Sequence, residues 1–321
     1  MKKNRRSFIK TTAATAAGIG LMTNRKLAAA AEVLSVKLMR NVMPKRSLGK
    51  TGFDVGLFSL GGEATVQQRG RQQDAAEIIN RAIDLGVNYI DTSPTYGGGG
   101  SEANIGTVMK DRRGEVFLAT KTHDRSYDGT LRLFEESLKR LQTDYIDLYQ
   151  VHNVRIAEDV DGALSRDGAV RAIERLRDEG AVRYIGITGH RDPEVLLRGI
   201  REYTFDTILM SLNAADIHYR PFQTDLLAAA VEKEMGIIAM KIPALGRIFR
   251  DDGITSMAEA LGYVYSFPVS TAIIGISTVA ELEENAAIAR NFKPFAREEM
   301  TRLEELTGPY YRDPNFFKFH W

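Results

Sequence analysis

The feature that most constrains the fold of this chain is a repeated pattern of short apolar runs, each followed by a helix-like segment. The runs are rich in β-branched residues and begin 23 to 39 residues apart. They lie at residues 55–60, 87–90, 116–119, 145–151, 184–188, 207–212, 237–240 and 272–276. In residues 74–85, between the first two runs, apolar residues recur at helical spacing before Gly86 ends the pattern. Each run therefore predicts a strand, and each intervening segment predicts a helix.

The alternation of strands and helices predicts an α/β fold. Near-continuous apolar strands between amphipathic helices are typical of a parallel sheet that is buried on both faces. Eight such units in about 265 residues favour a single closed (β/α)8 TIM barrel, because a doubly wound sheet usually stops near six strands. Upstream of the first unit, residues 45–52 predict a short hairpin that turns on Gly49 to Gly52 and caps the bottom of the barrel.

Residues 1–31 form a chemically distinct segment that contains seven basic residues and no acidic residue. The whole chain has a formal net charge of +1, whereas the remainder has 36 basic and 42 acidic residues. A basic start, a weakly apolar stretch at 11–22 and small residues at 28–31 are typical of a signal peptide. The pair Arg5-Arg6 makes the segment similar to a twin-arginine export signal.

We therefore expect a signal peptide at 1–31 and one barrel domain at 32–321. The expected partner is the twin-arginine export machinery, and the expected location is periplasmic or otherwise extracytoplasmic. A disordered basic tail and an amphipathic helix on a membrane surface are the alternative interpretations of residues 1–31. No later apolar run has membrane length, so we expect no stable membrane insertion of the mature chain.

Composition excludes several kinds of function. The chain has no cysteine, which excludes disulfide frameworks, thiolate metal sites and cysteine nucleophiles. The balance of 43 basic and 42 acidic residues argues against a nucleic-acid partner. An apolar fraction of 44% with 26% charged residues is typical of a folded globular protein.

Polar residues at the ends of three successive predicted strands indicate a catalytic site. Asp91, Lys121 and His152 occupy equivalent positions there, and Tyr96 follows Asp91 by five residues. Each residue alone is more often a helix cap, a solvated charge or a buried core group. In a barrel, however, all four converge on one mouth, where active sites of this fold lie.

The four side chains together suit protonation of a carbonyl oxygen. A phenol with a pKa of about 10 is a weak acid at neutral pH, and we expect the Lys121 ammonium to lower the pKa of Tyr96. Asp91 would keep Lys121 charged and in place, and His152 would donate to the carbonyl oxygen. Because the sequence shows no metal site and no serine or cysteine nucleophile, we expect a hydride to add to the carbonyl carbon as the oxygen is protonated.

The chain from about residue 46 to 285 resembles the aldo-keto reductases. The resemblance rests on Arg46-x-Leu48-Gly49-x-Thr51-Gly52, Gly86-x-Asn88-Tyr89-Ile90-Asp91-Thr92-Ser93-x-x-Tyr96-Gly97, Ser101-Glu102, Thr120-Lys121, Ser137-Leu138-x-x-Leu141-x-x-Asp144-Tyr145-Ile146-Asp147-Leu148, His152, Ile274-Gly275-Ile276-Ser277 and Leu282-x-Glu284-Asn285. It implies that Tyr96 is the proton donor, that Lys121 and Asp91 tune it, and that His152 orients the carbonyl. The implied reaction is hydride transfer between NAD(P)(H) and a small aldehyde, ketone or sugar carbonyl, or the corresponding alcohol.

The resemblance also implies a nicotinamide site, with departures from the family pattern. After the fifth strand, Thr188-Gly189-His190 stands where a Ser-Asn pair is commoner. Met240 stands where a stacking tyrosine is usual, and Lys241 could reach substrate, bind a cofactor phosphate or pair with an acid. The other candidate cofactor residues are Gly62, Asp91, Asn213, Gly246, Arg247, Gly275, Ser277, Thr278, Glu284 and Asn285.

Glu281 bears on the choice of cofactor. It falls where NADP-specific members often carry a basic residue for the 2′-phosphate. The family resemblance favours NADP(H), while a carboxylate at this position keeps NAD(H) possible.

We therefore expect an oxidoreductase, with two alternatives. One is a sensor or interaction module that binds the nicotinamide cofactor with little turnover. The other is an enzyme that recycles a tightly held cofactor between two substrates. The glycines at 97–100 predict a flexible loop beside Tyr96. The aromatic segment 316–321 is expected to pack on the barrel, with a lid or a membrane anchor as alternatives.

Overall fold

The structure is a computed structural model that describes residues 42–320. The predicted signal peptide at 1–31 lies outside the described residues, as do residues 32–41 and Trp321. No helix among the described residues is long and apolar enough to span a bilayer.

Eight parallel strands close into a barrel, which confirms the predicted (β/α)8 fold. The barrel strands are β3 (Phe58–Ala64), β4 (Tyr89–Asp91), β5 (Phe117–Thr122), β6 (Ile146–Val151), β7 (Val182–Gly189), β8 (Thr207–Ser211), β9 (Gly236–Met240) and β10 (Thr271–Ile276). Each strand pairs with its neighbour in chain order, and β10 closes the ring by pairing with both β9 and β3. In β5, β6 and β9 every residue is buried, as expected for apolar strands that are covered on both faces of the sheet.

Eleven helices are present among the described residues, most of them between consecutive strands. They are α1 (Gln72–Asp84), α2 (Gly100–Arg112), α3 (Tyr127–Leu141), α4 (Ala157–Leu164), α5 (Ala169–Asp178), α6 (Pro193–Glu202), α7 (Asp225–Glu232), α8 (Met257–Tyr265), α9 (Val279–Arg290), α10 (Arg297–Thr307) and α11 (Phe316–His320). In α1, Ala75, Ile78 and Ile79 are among the residues that face the sheet, as the helical spacing predicts.

The predicted hairpin is present and seals the N-terminal end of the barrel. Strands β1 (Lys45–Ser47) and β2 (Asp54–Gly56) pair antiparallel. Gly49 between them has φ +55°, and a Cβ there would lie 2.2 Å from the backbone nitrogen of Gly236. Only glycine therefore lets the turn pack against the start of β9. The guanidinium of Arg46 donates to the backbone carbonyls of residues 265, 267 and 269, which fixes the hairpin near the start of β10.

The first predicted strand, at 55–60, is divided in the structure. Residues up to Gly56 belong to hairpin strand β2, and those from Phe58 belong to barrel strand β3. The chain changes direction because Gly56 donates its N–H to the side chain of Asn88 and Leu57 donates to Pro44. An unbroken apolar run carries no signal for this change of partner. As a result, β3 extends to Ala64, four residues beyond the predicted end.

The lower part of the barrel is a packed core. Leu48 from the hairpin joins a buried interior cluster with Tyr89, Phe117, Leu148 and other strand residues. The Tyr89 and Phe117 rings stack with centroids 5.6 Å apart. Space for a ligand is therefore found at the other end, where the C-terminal ends of the strands meet.

Candidate active site

A cavity of about 660 Å³ opens at the C-terminal ends of the strands and brings the four predicted catalytic residues together. Asp91 ends β4 and Lys121 lies near the end of β5. His152 directly follows β6, and Tyr96 begins the turn after β4. All four side chains line this cavity.

Lys121 connects the other members of this group. Its ammonium forms a buried ion pair with Asp91 and also donates to the carbonyl of Thr92 at 2.7 Å. The same nitrogen lies 3.5 Å from the hydroxyl oxygen of Tyr96, to which its third N–H can donate. The second oxygen of Asp91 accepts from Gln150 at 3.0 Å, so the carboxylate is fixed from two sides.

The phenol of Tyr96 holds its proton tightly in this site. Burial raises the pKa of Tyr96 well above its ordinary value, and the carboxylates of Asp91 and Glu63 add to the effect. The direction of the shift is therefore opposite to the one expected from Lys121, because desolvation and two nearby carboxylates determine it. Lys121 is still placed to stabilise the phenolate after the proton has left.

His152 is a neutral side chain in this pocket. Burial, reinforced by the charge of Lys121 and other nearby cations, lowers the pKa of His152 well below its usual range. The imidazole lies edge-on to the Tyr96 ring, with centroids 5.9 Å apart. Its Nδ1 atom is 3.2 Å from the hydroxyl of Ser93. Tyr96 and His152 therefore present two possible donors to the same part of the cavity.

Most of the predicted cofactor residues lie along the walls of the same cavity. They are Gly62, Asp91, Thr188, His190, Met240, Lys241, Gly246, Gly275, Ser277 and Glu281. Lys241 has a left-handed φ of +63° at the end of β9. Burial lowers the pKa of Lys241, and the nearby carboxylate of Glu63 opposes this effect.

Six predicted cofactor residues do not line the cavity: Gly189, Asn213, Arg247, Thr278, Glu284 and Asn285. Asn213 uses its amide within the protein, since it donates to the carbonyl of Lys241 and accepts from Ala215. Arg247 pairs with Asp313 at 3.3 Å. Thr278 caps α9 by accepting the N–H of Glu281. These three residues shape the walls rather than face the cavity.

Asn285 and Glu284 lie side by side on α9 but in different surroundings. Asn285 is buried, and neither atom of its side-chain amide has a hydrogen-bond partner among the described residues. Glu284 is exposed. Asn285 follows Glu281, which lines the cavity, by about one helical turn, and an unsatisfied buried amide at this place fits a polar ligand that would complete its bonds. The polar strand ends and this amide are consistent with a nicotinamide nucleotide.

The glycines after Tyr96 form a packed turn. Gly97 has φ +58°, and a Cβ there would lie 2.0 Å from the carbonyl oxygen of Gln67. Arg69 donates to the carbonyls of Gly97 and Gly98. The turn thereby fixes the backbone that carries Tyr96.

The sequence prediction missed several residues of the cavity wall, including Glu63, Thr95, Asn153, Phe249 and Met257. Glu63 lies beyond the predicted end of the first strand, so extension of that strand through Gly61-Gly62 would have found it. Asn153 directly follows His152. Thr95 and Phe249 lie in loops, whose path the apolar pattern does not predict, and Met257 begins α8 directly after such a loop.

A family model described as the aldo/keto reductase family matches residues 54–248. The oxidoreductase YqkF of Bacillus subtilis (strain 168) is 28% identical and covers 83% of this chain and 97% of its own length. Methylglyoxal reductase YeaE of Escherichia coli (strain K12) is 27% identical, over 73% of this chain and 86% of its own. The solved structure of aldo-keto reductase AKR11C1 from Bacillus halodurans, in its holo form, matches with a TM-score of 0.71 and 25% identity. It covers 82% of this chain and 96% of its own.

Proposed function

Because the chain belongs to the aldo/keto reductase family, we propose that Tyr96 is the proton donor for a carbonyl reduction in the cavity described above. The protein is an NAD(P)-dependent oxidoreductase that acts on C=O and CH–OH groups. The observation that carries the proposal is the 3.5 Å approach of the Lys121 ammonium to the Tyr96 hydroxyl. An ammonium at this distance stabilises a phenolate and so favours loss of the proton.

Each member of the group has a separate task in the proposed reaction. The substrate oxygen lies between Tyr96 and His152, and neutral His152 orients it by donating one hydrogen bond. Tyr96 gives its proton to that oxygen, and Lys121 stabilises the phenolate that remains. Asp91 keeps Lys121 charged and in place. When bound, the nicotinamide supplies the hydride for the carbonyl carbon. Thr188, His190 and Met240 would hold the nicotinamide end.

Replacement of Tyr96 tests the proposal. We expect Tyr96→Phe to lower kcat by about 10²- to 10⁴-fold, the usual contribution of a positioned acid. Affinity for the reduced cofactor, measured by fluorescence titration, should stay within about threefold of the parent protein, since the ring remains. The matched control is Tyr311→Phe, outside the cavity. A near-normal kcat in Tyr96→Phe would show that another group donates the proton.

The choice between the two cofactors depends on Glu281. The family resemblance favours NADP(H). Against this, the Glu281 carboxylate accepts the N–H of Ser277 at 2.8 Å and is thus fixed at the N-terminus of α9. A fixed carboxylate repels a 2′-phosphate and can accept from a ribose diol, so NAD(H) is the second candidate. The two dissociation constants decide between them, and Glu281→Arg should shift the ratio toward NADPH whichever cofactor the parent protein prefers.

Short oxoaldehydes are the proposed first substrates to test. The support is the Escherichia coli relative whose name is methylglyoxal reductase. Single-turnover decay of the reduced-cofactor absorbance on addition of methylglyoxal gives a direct measurement. Decay supports catalysis, whereas tight cofactor binding without decay for any carbonyl would favour the sensor or interaction module. Purification with bound nucleotide that cycles between two substrates would favour the recycling enzyme.

We also propose that residues 1–31 direct export by the twin-arginine route. The support is the paired Arg5-Arg6 in a segment without acidic residues. Fusion of the full chain to a reporter, followed by cell fractionation, tests the location. We expect the exported fraction to fall when both arginines are replaced by lysine, and retention of the parent protein in the cytoplasm would contradict the proposal.

A further inference from the structure

Ser93 is a buried residue that contacts His152, and neither the sequence analysis nor the proposed mechanism gives it a role. It lies two residues after Asp91, in the segment that leads to Tyr96, and its side chain is fully buried. Its hydroxyl oxygen is 3.2 Å from His152 Nδ1. We infer that Ser93 is a positioning residue, which holds His152 in the tautomer that has its proton on Nε2. This inference rests on the proposed carbonyl reduction.

The tautomer of His152 matters because the imidazole is neutral. A neutral imidazole has one N–H donor and one acceptor, and only the nitrogen with the proton can donate to a carbonyl oxygen. If Nδ1 held the proton, the nitrogen on the other side of the ring would present a lone pair to the carbonyl oxygen. Repulsion would then replace the orienting hydrogen bond. A device that selects one tautomer is therefore required for the task assigned to His152.

The backbone of His152 fixes where the imidazole can lie. Its N–H donates to the carbonyl of Thr122 at 2.8 Å, which continues the pairing of β6 with β5. Its carbonyl accepts from the guanidinium of Arg125 at 2.8 Å. With both backbone groups bonded, the point from which the side chain projects is fixed. The ring directs Nδ1 at Ser93, while the side chain contributes to the cavity wall.

The surroundings of Ser93 supply its oxygen with other donors. The backbone N–H of Thr95 donates to the Ser93 oxygen at 3.2 Å, and the Thr95 hydroxyl lies 2.9 Å from it. When the Thr95 hydroxyl also donates, both lone pairs of the Ser93 oxygen are used. The Ser93 proton then has His152 Nδ1 as its acceptor. The chain of donors runs from Thr95 through Ser93 to Nδ1 and leaves the imidazole proton on Nε2.

The tautomer can be measured directly in the folded protein. The chain has five histidines, and ¹⁵N labelling of histidine with two-bond proton–nitrogen correlation separates protonated from unprotonated ring nitrogens. The His152 signals are assigned by their loss in His152→Gln. We expect an unprotonated Nδ1 and a protonated Nε2 in the parent protein near pH 7. A protonated Nδ1 would overturn the inference without any substitution at Ser93.

Variants at Ser93 then connect the tautomer to the reaction. Ser93→Ala removes the hydroxyl, so we expect the His152 signals to move toward protonated Nδ1 and kcat to fall about tenfold. Affinity for the reduced cofactor should not change. Ser93→Thr keeps a hydroxyl and should restore both the signals and kcat. An unchanged tautomer in Ser93→Ala would overturn the inference even if kcat fell, because the loss would then be structural.

The same data separate this inference from the proposed function. If the parent protein reduces no carbonyl while His152 has the Nε2 proton and Ser93→Ala shifts it, the proposed function fails and the positioning role stands. If carbonyls are reduced but the tautomer does not respond to Ser93, the positioning role fails alone. Thr95→Val is the control for the neighbouring hydroxyl, and we expect it to weaken the Nε2 preference less than Ser93→Ala does.

Discussion

Two buried aspartate–lysine pairs in this protein have nearly the same composition and different surroundings. Asp91 and Lys121 line the cavity, while Asp216 and Lys318 lie where α11 packs against the loop after β8. In both pairs the side chains are at most 1% exposed. In both, burial raises the pKa of the aspartate while the lysine opposes that shift.

The difference lies in what the ammonium group does with its remaining donors. Lys318 gives them to backbone carbonyls, those of Tyr219 at 2.7 Å and Arg220 at 3.1 Å. Lys121 gives one to a backbone carbonyl and directs another at the Tyr96 hydroxyl. One ammonium is saturated by fixed acceptors, and the other faces a group that can lose a proton.

The comparison shows that the role of a buried aspartate–lysine pair depends on what else the lysine ammonium contacts. The Lys318 pair fastens the C-terminal helix, so that Phe317 lies against the ring of His190 at a centroid distance of 5.7 Å. Aromatic packing on the barrel is thus the role of this segment in the structure. The Lys121 pair instead supports proposed chemistry.

We expect the largest effect when the Asp91–Lys121 pair is broken, and we expect it in catalysis. Lys121→Met should lower kcat by about 10²- to 10⁴-fold, because the phenolate of Tyr96 loses the charge that stabilises it. Steady-state reduction of methylglyoxal measures the loss. A kcat within about tenfold of the parent protein would remove the functional distinction between the two pairs.

For the second pair we expect a loss of stability with little loss of catalysis. Lys318→Met leaves Asp216 buried without its cation, which costs about 3–5 kcal/mol of unfolding free energy. Denaturant unfolding gives the free energy, and kcat at a temperature where the variant is folded should stay within about threefold. The double variant Asp216→Leu with Lys318→Met should regain most of the stability. A kcat loss as large as that of Lys121→Met would contradict the assignment.

The smallest expected effect concerns His190, which connects the C-terminal helix with the cavity wall. Burial lowers the pKa of His190 from 6.5 to about 3. The unfolded chain binds a proton below pH 6.5 and the folded protein does not, so stability falls as the pH falls. By linkage, the burial of His190 alone should lower the free energy of unfolding by about 2 kcal/mol when the pH falls from 7.5 to 5.

This pH effect is measured as a difference between variants. Urea unfolding at both pH values should show a smaller acid loss for His190→Gln than for the parent protein. His123→Gln, at an exposed position, is the matched control. Equal acid losses in all three proteins would mean that His190 accepts a proton in the folded state.

The sequence predicted the first pair and not the second for a physical reason. Asp91 and Lys121 end neighbouring strands, and parallel strands bring equivalent positions together whatever lies between them. Asp216 and Lys318 lie in a loop and a terminal helix, 102 residues apart. No periodic pattern relates them, so their contact depends on the final packing of the chain.

The same distinction explains the other outcomes. Strands were predictable because burial on both faces requires apolar runs, although the run at 55–60 did not reveal its division between hairpin and barrel. Glu63 was missed because it follows that run. The contact of Arg247 with Asp313 joins residues 66 positions apart and was equally invisible to local patterns. The raised pKa of Tyr96 depends on burial, which sequence spacing alone does not measure.

The hairpin at the bottom of the barrel has a consequence for the order in which ligands arrive. Leu48 and the stacked aromatic rings close that end among the described residues. Nucleotide and carbonyl compound then share the opening formed by the loops at the other end. Whichever ligand occupies the deeper position has to enter first and leave last. In each turnover the inner ligand would then stay bound until the outer one has left, which makes its release a separate step after the chemistry.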